Sequence, residues 1–260
     1  MTALARLVSI ATPDPTAPLI PEGLIPNLPR YEQFAREHWR LDTGDARSLI
    51  GLRNGGVLTQ AAGAVPVTFP AGYARIPGGG ANGLLTPYPD ADDDAWFIVT
   101  RFSALNASGT YILGNNTGTS SAGGEQLYIT NFRRPALQVR GYSADASIPN
   151  AADAPGETNW GFYGFVKTAG TRTLYVGKGG VLLKATSSGT KTAANPARNV
   201  AVGIYHRSTA GFVEASQDVY DVMNFAPGVL IKNGVPDDEA VLGIYRRSID
   251  RAAAYGNTVV

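Results

Sequence analysis

The chain has 260 residues, 44% of them hydrophobic and 17% charged, with 31 glycines and a formal net charge of +1. A chain of this length buries a substantial core unaided, and without cysteine it has no disulfide framework, thiolate metal site or cysteine nucleophile. The balanced charge gives no general attraction to nucleic acid or an anionic membrane, and no window is long and apolar enough for a membrane span.

Residues 1–15 carry one arginine and a short apolar run before prolines begin, too weak a pattern for a signal peptide. The expectation is therefore a protein made in the cytoplasm. Six of the 17 prolines fall in the first thirty residues, at Pro13, Pro15, Pro18, Pro21, Pro26 and Pro29. Proline fixes φ and removes a backbone donor, so residues 1–29 are expected to run as an extended arm. Leu19, Ile20, Leu24, Ile25 and Leu28 punctuate this arm, whereas a disordered linker is more polar. These side chains are expected to lie in grooves, on the chain's own domain or on a neighbouring subunit, and a homo-oligomer is the expected state.

Residues 30–40 carry Tyr31, Phe34, Ala35 and His38 at helical spacing, which predicts a short helix. From residue 41 the pattern changes to strands. In residues 95–102, Trp96, Ile98, Thr100 and Phe102 alternate with Phe97, Val99 and Arg101. Further strands are predicted at TYILGN, EQLYIT, TLYVGK, GVLLKAT and NVAVGIY, with glycine, asparagine and proline clusters between them. Strands at roughly ten-residue spacing with turn signals predict an all-β sandwich or barrel over residues 41–260. Gly177, Gly179 and Gly180 supply positive φ for one hairpin, with Leu174, Val176, Val181 and Leu183 assigned to a core face. A C-terminal helix is predicted at about 237–253, capped by the aspartates at 237 and 238, with Val241, Leu242, Ile244, Tyr245 and Ile249 as its stripe.

Several short motifs carry a resemblance. They are Asn82-Gly83-Leu84-Leu85-Thr86-Pro87 followed by Trp96-Phe97-Ile98-Val99, and Asn159-Trp160-Gly161-Phe162-Tyr163-Gly164-Phe165 followed by Thr173-Leu174-Tyr175-Val176-Gly177. Asn199-Val200-Ala201-Val202-Gly203, Gly211-Phe212, the run from Val219 to Phe225 and Gly228-Val229-Leu230 complete the order, ahead of the helix at Asp237. The chain from about 41 to 245 resembles the concanavalin A-like/laminin-G-like jelly rolls. The resemblance implies a two-sheet antiparallel sandwich with short flanking helices, and it is nearly silent on function, because this fold hosts lectins, hydrolases, lyases and spacers alike. A β-rich head with an anchoring arm is similar to bacteriophage tail, fibre and decoration proteins. That resemblance implies a virion-associated, non-catalytic protein whose lectin-like head meets a host-surface glycan or protein. A purely structural virion subunit and a glycan-degrading enzyme with an unusual site are the alternatives.

Glycan hydrolysis needs two carboxylates facing one cleft. The nearest run, Glu214, Asp218 and Asp221, has the wrong spacing for alternate residues of one strand, and His206 beside Tyr205 and Arg207 lacks the motif strands of a lyase. No catalytic residue is therefore assigned. For glycan binding, Tyr142, Trp160, Tyr163 and Tyr205 are the candidate stacking rings, with Asn115, Asn116 and Asn159 as polar company. Asp90, Asp92, Asp93 and Asp94 offer oxygen ligands for calcium, but they lack the interleaved glycine and asparagine of a dedicated calcium loop, so a solvated turn before the 95–102 strand is the preferred account and no cofactor is assigned. Between Thr158 and Val213 there are seven basic residues and no acid: Lys167, Arg172, Lys178, Lys184, Lys191, Arg198 and Arg207. Gathered on one face they favour a phosphorylated or acidic glycan or an acidic neighbouring subunit; a solvated outer sheet is the preferred reading.

Overall fold

The computed structural model describes residues 34–60, 64–70, 72–79, 82–105, 109–116, 123–142, 144–148, 159–193, 197–203, 216–254 and 256–259. The chain divides into two units, Met1–Arg30 and Tyr31–Val260. The first unit, with the arm residues Leu19, Ile20, Leu24, Ile25 and Leu28, lies outside the described residues, as does Tyr205.

In chain order the strands are β1 (Ala35–Arg40), β2 (Thr59–Gln60), β3 (Ala74–Ile76), β4 (Gly83–Pro89), β5 (Ala95–Phe102), β6 (Thr110–Gly114), β7 (Glu125–Ile129) and β8 (Pro135–Val139). They continue as β9 (Ala146–Ser147), β10 (Gly161–Thr168), β11 (Thr171–Lys178), β12 (Val181–Ser188), β13 (Asn199–Gly203), β14 (Gln217–Phe225), β15 (Ile231–Lys232) and β16 (Val235–Pro236), followed by helix α1 (Asp238–Ala253). One sheet has the order β1-β14-β5-β10-β11-β12, with β3 also on β14; the other runs β2-β4-β13-β6-β7-β8-β9. Every ladder in both sheets is antiparallel. The fold is an all-β antiparallel sandwich.

Period-two alternation in the central strands produces two cores rather than one. Trp96, Ile98 and Phe102 of β5, with Tyr163 and Phe165 of β10, face the second sheet. Phe97 and Val99 of β5, with Phe162 and Val166 of β10, face the opposite way, onto Val241, Ile244 and Tyr245 of α1. The first sheet is apolar on both faces because it lies between the second sheet and the helix. Asp237 caps α1 by accepting from the backbone N–H of Ala240 at 3.2 Å. At Gly177 an added Cβ would lie 2.3 Å from the Tyr245 ring, so glycine is what lets that ring rest on the sheet. The β11–β12 turn uses Gly179 and Gly180 at φ +59° and +81°, the double positive φ of a two-residue hairpin. Val181, assigned to the core face, is instead exposed beside this turn.

Residues 35–40 correct the expected 30–40 helix: they form β1, paired with the second half of β14. Six residues are too few for periodicity to separate helix from strand, and pairing with a central strand decides the matter. Trp39 enters the inter-sheet core while His38 Nε2 donates to the Asp221 carboxylate on the helix side. The Glu37 carboxylate is fully buried and accepts from the backbone N–H groups of Arg53 and Gly56, each at 2.8 Å, which pins the loop after β1.

A bulge in β14 between Val219 and Asp221 brings both Tyr220 and Asp221 to the helix. The Tyr220 hydroxyl donates to the Arg251 carbonyl at 2.9 Å, and Asp221 accepts from the Arg251 guanidinium. Burial pushes the Asp221 carboxyl up, but Arg251 and His38 outweigh it and hold it well below the usual carboxylate range. Asp221→Asn leaves those two groups without their counter-charge, at an expected cost of about 3–5 kcal/mol near neutral pH. A carboxyl depressed in the fold contributes fully above its unfolded value of about 3.9 and loses that contribution as pH falls towards its folded value. Urea unfolding should therefore show the gap between wild type and variant narrowing at about pH 2.5; a gap independent of pH contradicts this assignment.

Candidate functional site: a charged pocket at the sandwich rim

The hairpin joining β10 and β11 places Lys167 directly opposite Arg172. Alternation turns both side chains inward, where they are 0% and 2% exposed. Two like charges facing each other in a core are costly unless neutralised, and the neutralising groups come from far along the chain. Lys167 pairs with Asp90, with Asp94 and, at 2.7 Å, with Glu125. The other oxygen of Glu125 accepts from Arg172 Nε at 3.3 Å, and Arg172 Nη1 donates to the carbonyls of Thr168 and Thr171, each at 2.8 Å. Asp94 also accepts from the Trp96 indole N–H at 2.9 Å. Glu125 belongs to β7 of the second sheet, so this cluster ties the two sheets together at one end.

A pocket of about 300 Å³ opens over the cluster, lined by Pro89, Asp90, Ala91, Asp92, Asn115, Lys191, Ala193, Ala197 and Arg198. Its wall is held by backbone. Gly124 N–H donates to the Thr192 carbonyl at 2.8 Å and Thr192 N–H to the Arg140 carbonyl at 2.7 Å. A Cβ at Gly123 would fall 1.9 Å from the Ala193 carbonyl oxygen, so the segment closes only over glycine. Lys191 pairs with Asp90, and burial pulls its ammonium down to about 8 in spite of that carboxylate. Asn115 donates to Asp90 at 3.3 Å and accepts from the Glu125 backbone N–H at 2.9 Å. Asp92 stands at the mouth, its side chain 83% exposed and 3.6 Å from Arg172. Arg198 Nη1 is buried with no hydrogen-bond partner among the described residues.

The candidate residues do not converge on one site. Tyr163 sits in the inter-sheet core, where burial drives its hydroxyl strongly up. Trp160 is buried on the helix side against Tyr73 and Tyr220, with Arg101 over its ring at 4.7 Å. Neither ring has an open face for a sugar, which corrects their assignment as stacking platforms. Tyr142 adjoins the rim: its ring lies 5.9 Å from the Arg172 guanidinium carbon, burial pushes its hydroxyl up, and that hydroxyl has no partner among the described residues. Asn115 lines the pocket, Asn116 is buried behind it with its N–H on the Glu125 carbonyl at 3.2 Å, and Asn159 is exposed beside Trp160.

The aspartate run is likewise redistributed. Asp90 and Asp94 meet on the Lys167 ammonium, which occupies the position a calcium ion bound by them would need, while Asp92 faces solvent and the Asp93 carbonyl accepts from Gly228 N–H at 3.1 Å. The cations separate too, Arg207 lying outside the described residues. Lys167, Arg172, Lys191 and Arg198 gather at this rim, whereas Lys184 pairs with Asp238 of α1. Sequence reasoning did not single out Glu125, and it named Lys167, Arg172, Lys191 and Arg198 only within the wider run of seven cations. Alternation on β10 puts Lys167 in phase with Tyr163 and Phe165, but local sequence does not say which face looks inward.

Floor and mouth should respond differently to substitution. Lys167→Met strands three carboxylates and should cost about 3–5 kcal/mol, whereas Arg198→Ala removes no internal ion pair and should cost about 1 kcal/mol or less. Equal losses in denaturant unfolding would contradict this division.

No family model matches the sequence, and the comparison with curated proteins gives no match. Among solved structures, the chain is similar to the binding domain of botulinum neurotoxin serotype D, with 9% identity and a TM-score of 0.53, over 85% of this chain and 53% of that one. It is also similar to a Trypanosoma rangeli sialidase, with 11% identity and a TM-score of 0.52, over 74% of this chain and 30% of that one. The chain thus spans about half the length of the toxin domain and under a third of the sialidase. At these identities the likeness is one of fold: the sandwich that carries the rim pocket is an architecture shared with known proteins.

Proposed function

We propose that residues 34–259 form a non-catalytic glycan-binding head, that the rim pocket is its binding site, and that the proline-rich arm attaches it to an assembly such as a phage virion. The observation that carries the binding reading is the pocket itself. It offers an exposed carboxylate at Asp92 and cations at Lys191 and Arg198, in a volume of about 300 Å³ that suits one or two sugar rings. These groups stand on a neutralised ionic floor that fixes their positions, so little ordering cost falls on binding.

The pairing of the carboxylates supports the non-catalytic reading. A glycosidase of the usual kind needs one carboxyl to give a proton and a second to act as base or nucleophile across the bond. Here Asp90, Asp94 and Glu125 are each committed to cations, and Asp92 alone of the four reaches solvent. Asp218, from the run weighed as a catalytic candidate, is held by Arg75 and Arg101, and Asp221 by Arg251 and His38; Glu214 lies outside the described residues. The arm's apolar residues between prolines support attachment to a neighbour.

Two experiments test this reading. On a glycan array, the full chain should retain a defined set of glycans without releasing sugar from them, and Asp92→Ala should abolish retention. Release of free sugar would overturn the non-catalytic part; retention unaffected by Asp92→Ala would overturn the pocket assignment. By light scattering, the full chain should be a defined oligomer and a chain lacking residues 1–29 a monomer; equal masses would remove the attachment role of the arm.

A further inference from the structure

Charge balance at the rim has one gap. Lys167, Arg172 and Lys191 each lie against at least one carboxylate, but Arg198 has none among the described residues. Arg198 lines the pocket wall, half-buried, and brings it a positive charge that an anion entering the pocket would balance. Its planar donor fork fits a carboxylate in particular. Among the described residues the exposed carboxylate at the mouth is Asp92, which is turned to Arg172 and to solvent. It is therefore free to accept from hydroxyl groups, and it repels a ligand carrying dense negative charge.

From this geometry we infer that the rim pocket selects a sugar ring bearing a single carboxylate, with Arg198 as the counter-charge to that acid and Asp92 as the acceptor of ring hydroxyls. This rests on the reading of the pocket as a glycan site and adds the class of glycan. A neutral sugar satisfies Asp92 but leaves Arg198 without a counter-charge. A heavily sulfated chain satisfies Arg198 but meets Asp92 with like charge. The uronate class meets both requirements, because one ring carries its acid and its hydroxyls on opposite edges.

The test uses the full chain and three probes of equal length: a hexuronate-containing oligosaccharide, the same oligosaccharide with its carboxyls reduced to hydroxymethyl groups, and a highly sulfated one. Calorimetry should show the hexuronate bound, the other two bound about tenfold more weakly or worse, and Arg198→Ala lowering hexuronate affinity by about tenfold or more. Arg198→Lys, which keeps the charge without the fork, should fall between wild type and Arg198→Ala, and Asp92→Asn should weaken hexuronate and reduced probes alike. Equal affinity for hexuronate and reduced probes, or no effect of Arg198→Ala in a variant that unfolds like wild type, overturns the inference. If the reduced probe binds as well as the hexuronate and both are lost with Asp92→Ala, the glycan pocket stands and only its acid selectivity falls. If none of the three probes binds and the array is also empty, both fall together.

Discussion

Lys167 is an ammonium buried between two sheets, and the architecture at that end of the molecule exists because three carboxylates meet on it. Desolvating one such ion costs several kcal/mol, and a second cation directly across the ladder raises the cost. Glu125 from the opposite sheet and Asp90 and Asp94 from the β4–β5 connection offset it. An apolar contact would join the sheets as well, but it tolerates sliding. A set of charge pairs with fixed acceptors does not, so the register between the sheets and the course of the β4–β5 connection are set together. That connection then supplies Asp90 and Asp92 to the pocket above.

The pocket therefore divides into two kinds of residue. Lys167, Glu125, Arg172 and Asp94 form a floor that faces inward and is satisfied within the protein. Asp92 faces solvent, and Arg198 lines the pocket with no carboxylate beside it among the described residues. Lys191 belongs to both: it pairs with Asp90, yet burial leaves its ammonium near 8. A rigid charged floor beneath a charged mouth is an arrangement suited to recognition, since the groups that meet a ligand are positioned before it arrives.

Much of the fold is legible in local sequence because strand alternation is a local signal. The residues of 95–102 announce two faces, and the structure covers one with a second sheet and the other with α1. The glycine pair at 179–180 and the cap at Asp237 are similarly local. What escapes sequence is which face looks inward. Lys167 alternates with Val166, and taking the lysine as the outward residue is the ordinary choice; here Val166 meets the helix and Lys167 points into the sandwich, because the sheet has protein on both sides. The partners that make this tolerable lie 77 and 42 residues away, beyond any motif. For the same reason Trp160 and Tyr163, adjacent to β10 and on it, look like sugar platforms in sequence and are core in the structure. Asn115 and the aspartates at 90 and 92 were recognisable as polar candidates, but only folding brings them to the cations of the 158–213 stretch.

The central claim is that recognition occurs at this rim and not on another face of the sandwich. Amide hydrogen exchange of the full chain, with and without a saturating glycan retained on the array, tests it directly. The account predicts that added protection concentrates in residues 90–92 and 191–198, while the outer face of the second sheet around Gln126, Tyr128 and Gln138 is unchanged. Protection on that outer face, or around Tyr73 and Arg101 near Trp160, with the rim unaffected, would contradict it.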